Sequence, residues 1–281
     1  MELSERLKAL CDIVESATPL LLEGYARVPG ADPLRREHLG IQTKKSVKDL
    51  VTVFDQRVEA FLTAELARRF PGEAIVGEEA VAASGRSVRE TCEQHDAFWI
   101  IDPIDGTTNY SRAYPFFCST VAYIEKINGR YRPVVGLVWN PVTREMFSAA
   151  LGQGAWLNRE RLKVTQVVEP HQALLTTGFA SERASSGNRA FDLFRDLTKM
   201  TLGVRRDGSA ALDLAYVAAG RIDAYWEWGL SPWDTAAGLL LVEEAGGKVT
   251  HHDGGEIDLM TGEIVASNGS IHGWLVQEVG K

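Results

Sequence analysis

Apolar positions along the chain change period three times. From residue 3 to about 27 they recur at helical spacing, with Leu3, Leu7, Leu10, Ile13 and Val14 falling on one face. A second helix is expected from near Val53 to Phe70, closed by Pro71-Gly72. "EAIVGEE" then reads as a short strand ending in a glycine turn and two acids, Glu78 and Glu79, and "AFWII" as a fully apolar strand. Between Phe117 and Asn158 the pattern turns to strands and turns. "STVAYIEK" and "YRPVVGLVWN" flank Asn128-Gly129, a tight-hairpin dipeptide, and "REMFSAA" and "GQGAWLN" follow further turns. Beyond Ala173 the elements alternate: "ALLTTGF", a helix across 188–200, "GVRR", a helix from Ser209, and the strand "RIDAYWEW". The helix "SPWDTAAGLLLVEEAGG" and the late strands "GKVT" and "EIVASN" complete the series. A hairpin-rich middle between mixed segments implies a layered α+β fold and not a simple doubly wound sheet. No repeat or linker divides the chain, so a single domain over 1–281 is expected, with sub-layers of roughly 1–170 and 171–281.

Composition narrows the class. With 281 residues, 45% hydrophobic and 24% charged, the chain can bury a sizeable core and matches an ordinary globular enzyme. Its formal net charge of −8, without a long Lys/Arg run, argues against a nucleic-acid surface as the main activity. An anionic substrate stays compatible with that charge if a bound cation reverses the local field. Cys11, Cys92 and Cys118 are too scattered for a disulfide framework or a Cys-rich zinc site, and read as reduced thiols. The N-terminal stretch is acidic and amphipathic, unlike a basic leader, and no window reaches the length of a membrane span. The expectation is a cytoplasmic protein.

Acids cluster just past apolar runs: Asp55, Glu78-Glu79, Asp102 with Asp105, and Asp234. Each has a local explanation. Asp55 follows Thr52, and Asp234 follows Ser231, at the spacing of a capping box, with Pro232 at the first helical position. Asp102 and Asp105 suit turn or N-cap roles before "GTTNY". Together they suggest more, because carboxylates at strand ends converge on one rim of a layered fold. Like charges so placed raise one another's pKa, and a hard divalent cation relieves the repulsion. An oxygen-only donor set points to Mg²⁺ and not to zinc. Gly106, Thr107 and Thr108 follow at once, and their backbone N–H groups at a helix or turn start suit a phosphate. Metal-holding acids beside phosphate-holding amides suggest a metal-assisted phosphatase.

"WIIDPIDGTTNY" (Trp99 to Tyr110) closely resembles the first signature of the inositol monophosphatase family, W-x-x-D-P-x-D-G-T-x-x-[FY]. "SPWDTAAGLLLVEEAGG" resembles the second, W-D-x-x-A-[GA] with a downstream E-A-G-G, while "VGEEAVAA" and "DLVTVFDQRVE" resemble upstream segments. The likeness runs from about residue 40 to 270. It implies an αβαβα layered sandwich, shared with fructose-1,6-bisphosphatase, that needs Mg²⁺, commonly dimerises and is often inhibited by lithium. It implies metal ligation by Glu78, Asp102, Asp105, Asp234 and the Ile104 carbonyl, with about two or three Mg²⁺ ions per site. It assigns catalytic roles to Glu78, Thr107 and Asp55, and phosphate binding to the amides of Gly106 and Thr107. The implied reaction is direct attack of a metal-activated water on a phosphate monoester, with no phospho-enzyme.

The expected substrate is myo-inositol monophosphate, a small phosphorylated polyol. Contacts are expected from Ile104, Asp105, Gly106, Thr107, Asp234, Gly208, Ser209, Ala210 and Glu227; Ala210 and Glu227 match positions that contact inositol hydroxyls in the inositol-specific branch. A carboxylate accepting two hydroxyls suits a polyol. Histidinol-phosphate phosphatase, a broad sugar phosphatase of the fructose-1,6-bisphosphatase type, or a bacterial relative that binds the transcription machinery or RNA are the alternatives. Lys44 and Lys45 fit either an active-site loop or a solvated turn. "HHDGG" reads as a polar turn with surface histidines at 251 and 252.

Overall fold

Two large sheets organise the described residues, 1–26, 37–43, 50–179 and 189–281, of a computed structural model. The first has seven strands in chain order: β3 (Ala74–Gly77), β4 (Ala97–Asp105), β5 (Cys118–Ile127), β6 (Arg130–Asn140), β7 (Glu145–Ala150), β8 (Ala155–Leu157) and β9 (Glu160–Arg161). Only β3 and β4 pair in parallel; from β4 onward the sheet is an antiparallel meander. Asn128 and Gly129 both take positive φ in the β5–β6 turn, as the hairpin reading requires. A small antiparallel pair, β1 (Gln42–Thr43) with β2 (Leu50–Val51), lies apart.

The second sheet orders five strands as β11-β10-β12-β14-β13: β10 is Leu174–Thr177, β11 Gly203–Arg205, β12 Ala224–Trp228, β13 Lys248–Thr250 and β14 Glu263–Ser267. Helices occupy three layers around these sheets. Side chains alternate along β4, so Trp99 and Ile101 pack with α1 (Leu3–Ser16), α2 (Thr18–Ala26) and α3 (Val53–Arg69). Phe98 and Ile100 face the other way, onto α8 (Ala210–Ala218) and α9 (Pro232–Glu244). The second sheet continues the alternation: Tyr225 joins that middle layer, while Ala224 and Trp226 face α7 (Arg189–Met200) and α10 (His272–Gly280). The result is the expected αβαβα sandwich.

Helix α9 is buried nearly all round, as a helix between two sheets must be. It approaches β6 so closely that a Cβ on Gly136 would lie 2.9 Å from Ala237 Cα. The first helix ends earlier than its periodicity suggests. It breaks at Ala17 and restarts as α2 with Pro19 in the first turn, where the missing N–H costs nothing. Residue 27 lies outside the described residues, as do Lys44 and Lys45. The two acids after the glycine turn, Glu78 and Glu79, open a helix, α4 (Glu78–Ser84), followed by the short α5 (Val88–Cys92). All three cysteines are free, and no helix among the described residues is long and apolar enough to cross a membrane.

Candidate active site

In a regular strand, residues three apart point to opposite faces. Asp102 and Asp105 escape that rule because β4 bulges. Asp102 pairs with Thr120 and Asp105 with Cys118, so three steps on β4 match two on β5. Asp102 already faces the α8–α9 layer by alternation with Phe98 and Ile100, and the extra residue turns Asp105 to the same side. Within the bulge Asp102 Oδ1 accepts the Ile104 N–H at 3.0 Å, the side-chain turn that Pro103 stiffens. Asp105 Oδ2 accepts the Ser209 hydroxyl and the Ala211 N–H, each at 2.7 Å, and so ties β4 to the start of α8.

Asp234 arrives from the opposite side, in the first turn of α9, where its Oδ2 accepts the Ser231 N–H at 2.7 Å. Capping is therefore what aims this acid. One oxygen each of Asp102, Asp105 and Asp234 lies within 4.8 Å of the others. Burial pushes Asp102 and Asp234 well above the usual carboxylate range, and the charges of Glu78 and Asp105 push both further. Burial raises Asp105 only to about 6, because Ser209 and Ala211 hydrogen bonds favour its ionised form. Glu78 stands outside this tight trio. Its charge nevertheless adds to the rise of Asp102.

A second group adjoins the acids. Asp55 is 2% exposed at the start of α3, where its Oδ2 accepts both the Thr52 N–H at 2.8 Å and the Thr52 hydroxyl at 2.6 Å. Its other oxygen is 3.1 Å from the Thr107 hydroxyl, which lies equally far from the Ile104 carbonyl. Burial pushes Asp55 up to about 7 against the opposing Thr52 hydrogen bonds, with Glu78 and Glu79 adding to the rise. Thr107 opens a one-turn helix, α6 (Thr107–Ser111), with Gly106 at its N-cap. Gly106 adopts φ +93°, and a Cβ there would meet the Phe116 and Gly208 carbonyls at 3.1 and 3.2 Å. Only glycine fits. N–H groups at a helix start have no carbonyl within their own helix to bond, so those of Gly106 and Thr107 can serve an anion.

The substrate-side residues come from the second sheet and α8. Glu227 is 7% exposed near the end of β12, a buried acid and not a solvated strand residue. Two residues back on the same face, Tyr225 donates its hydroxyl to Glu227 Oε2 at 2.6 Å. Burial raises Glu227 to about 7, and the tyrosine hydrogen bond opposes the rise. Gly208, at φ +90°, and buried Ser209 and Ala210 lead into α8 beside Asp105. The Ser209 hydroxyl is engaged by Asp105 here.

Two features departed from the sequence reading. His252 is a buried residue and not a surface one: its Nε2 lies 3.1 Å from the carbonyls of Glu227 and Ile264, which are paired across β12 and β14. Composition suggested a polar turn, and the turn is there, but the ring folds back under the sheet. Glu59 was not singled out at all. It is 6% exposed, one helical turn after Asp55, and accepts the N–H groups of Glu79 and Ala80 at 2.7 and 2.8 Å.

The trio tests well as a cation site. Its donors are all carboxylate oxygens, and they are held by backbone and hydroxyl donors from three separate elements. An acid cluster of this kind beside an anion-ready helix start, in a five-layer sandwich, defines the class of metal-dependent phosphatases. Sequence comparison gives the particular family. Residues 2–281 match the inositol monophosphatase family. The inositol-1-monophosphatase of Synechocystis is 44% identical over 238 residues, covering 84% of this chain and 79% of that protein. The Nus factor SuhB of Pseudomonas aeruginosa is 44% identical over 227 residues, covering 80% of each chain. Among solved structures, the inositol monophosphatase of Anabaena superposes with a TM-score of 0.81 at 39% identity, covering 100% of this chain and 97% of that one. The chain belongs to the inositol monophosphatase family.

Proposed function

We propose that this protein hydrolyses myo-inositol monophosphate to inositol and phosphate, with water attacking phosphorus directly and Mg²⁺ as the required cation. The observation that carries the reading is the convergence of Asp102, Asp105 and Asp234 within 4.8 Å, next to Gly106 and Thr107. Glu78, Asp102, Asp105, Asp234 and the Ile104 carbonyl would hold the metal, in a complement of about two or three ions. When bound, the metal lowers the pKa of water and offsets charge on the phosphate and the leaving oxygen.

The chain's own groups do the rest. Thr107 donates its hydroxyl hydrogen to Asp55, so its oxygen lone pairs are free to accept a hydrogen from the attacking water and fix its direction. The proton lost by that water passes to the Thr107 oxygen as the threonine proton passes to Asp55. A carboxylate pushed by burial to about 7 is well matched to receive it near neutral pH. Glu78 orients the same water. The Gly106 and Thr107 amides hold the phosphate, and Glu227 accepts hydroxyls of the polyol, with Gly208, Ser209 and Ala210 along the same wall. Cytoplasmic residence and a homodimer complete the reading.

Phosphate release from inositol 1-phosphate, histidinol phosphate and fructose 1,6-bisphosphate, under titrated Mg²⁺, tests it. The inositol ester is expected to have the highest kcat/KM. Equal rates for wild type and Asp105→Asn, or preference for histidinol phosphate, would sink the reading. A second, binding role is favoured by one observation: a Nus factor relative is as similar, at 44%, as the inositol-1-monophosphatase relative. The acidic balance of −8 opposes direct RNA contact and leaves protein contacts open. If a catalytically dead variant retained the cellular phenotype, that role would become the better description.

A further inference from the structure

Helix α4 begins without a cap of its own. Its N-cap residue is Gly77, which has no side chain to accept the first N–H groups, and yet Glu78, the expected metal ligand, is the first residue of the helix. The missing acceptor comes from another helix. Glu59, on α3, places Oε2 2.7 Å from the Glu79 nitrogen and Oε1 2.8 Å from the Ala80 nitrogen. The carboxylate occupies the space a side chain at 77 would fill: a Cβ there would lie 2.3 Å from Glu59 Cδ and 2.6 Å from each oxygen. Gly77 has φ −104°, an ordinary extended value, so glycine is needed for room and not for backbone freedom.

We infer that Glu59 is a positioning residue for the metal site: its carboxylate, seated over Gly77, fixes the start of α4 and with it the direction of Glu78. The same helix then organises both halves of the machinery. Asp55 holds Thr107, and Glu59, one turn later on the buried face, holds the segment that carries Glu78. Groups that orient metal ligands in this way commonly change metal affinity by about 10–100-fold when removed. This inference rests on the metal-dependent reading proposed above.

Mn²⁺ binding, read by electron paramagnetic resonance on the full chain as a stand-in for Mg²⁺, tests it without reference to turnover. Glu59→Ala is expected to weaken Mn²⁺ binding about tenfold or more, and Gly77→Ala, which retains the acid but displaces it, to do the same. The double variant Glu59→Ala/Gly77→Ser puts a local capping hydroxyl into the vacated space and should recover a large part of the loss. Rescue of this kind is not expected if Glu59 merely fills volume. Folded Glu59→Ala with wild-type Mn²⁺ affinity would overturn the inference. Should Glu59→Ala fail to fold, wild-type affinity in folded Gly77→Ala would overturn it equally. Wild type that binds Mn²⁺ but releases no phosphate would instead refute the proposed function and leave this inference standing.

Discussion

Tyr225→Phe separates substrate recognition from phosphate chemistry. The substitution keeps the ring of a fully buried residue and removes one oxygen, the donor 2.6 Å from Glu227 Oε2. A hydrogen bond to a charged acceptor contributes about 1.5–3 kcal/mol. Burial has already pushed Glu227 to about 7, with the tyrosine opposing the rise, so losing that donor moves the acid further up. Less of it is ionised at neutral pH, and the remaining carboxylate loses the contact that sets its angle. If the polyol gives up about 1.4 kcal/mol of this, kcat/KM for inositol 1-phosphate falls about tenfold. p-Nitrophenyl phosphate carries no polyol and should change by less than about twofold on the same scale. The sign with pH is fixed as well: a raised acid re-ionises as pH rises, so the defect should be larger near about pH 6 than near about pH 9. Steady-state kinetics on both esters across that range is the assay. Parallel losses on the two substrates, or no loss on the inositol ester, would refute the reasoning.

Asp105→Asn removes a central donor, and Mg²⁺-dependent phosphate release should fall by at least about a hundredfold. The same change should stabilise the chelated protein by roughly 1–2 kcal/mol in a thermal melt, because one of several mutually repelling acids is gone. Without metal, stability should decline as pH rises. Asp55, Glu59 and Glu227 are held by burial near about 7 from ordinary values of 3.8, 4.5 and 4.5, so between those limits the folded chain keeps protons that the unfolded chain has released. Asp55 alone corresponds to roughly 4 kcal/mol lost once pH passes 7. A melting temperature in EDTA that climbed from pH ~5 to pH ~8 would contradict this, and added Mg²⁺ should flatten the profile. Far from the site, Arg6 grips Glu73 with two bonds of 2.6 and 2.9 Å and lies 4.0 Å from the Tyr123 ring centroid. Arg6→Met should cost about 2–4 kcal/mol in urea unfolding, with Glu73→Gln in the same chain restoring part of it.

The acids Asp55 and Asp234 were legible in sequence because their partners are near: Thr52 and Ser231 cap locally, and the same geometry aims the carboxylates. Asp102 and Asp105 were legible as a motif, but not their common face, since spacing by three predicts opposite faces unless a bulge intervenes. Tertiary partners hid the rest. Glu59 meets its N–H donors twenty residues on, and nothing in a charged helix face announces that one glutamate is buried over a glycine. His252 sits in a stretch whose composition is polar, and only the pairing of β12 with β14 shows what its ring lies beneath. Periodicity carried a layered α+β fold and the family likeness alone carried the layer order; the break at Ala17 needed Pro19 to be weighed more heavily than the apolar stripe.

Helix α9 lies between the sheets and carries Asp234, whereas Asp102 and Asp105 belong to a strand made far earlier in translation. A chain leaves the ribosome N-terminus first, and long-range pairings form last. The seven-stranded sheet is therefore complete in sequence while its two acids still lack their counterpart, and α9, which covers its apolar face, has yet to emerge. Assembly of the cation site and burial of that face depend on the same late segment. A nascent chain truncated before residue 232 would lack both, which makes the arrival of α9 a checkpoint linking cover of the first sheet to competence for metal.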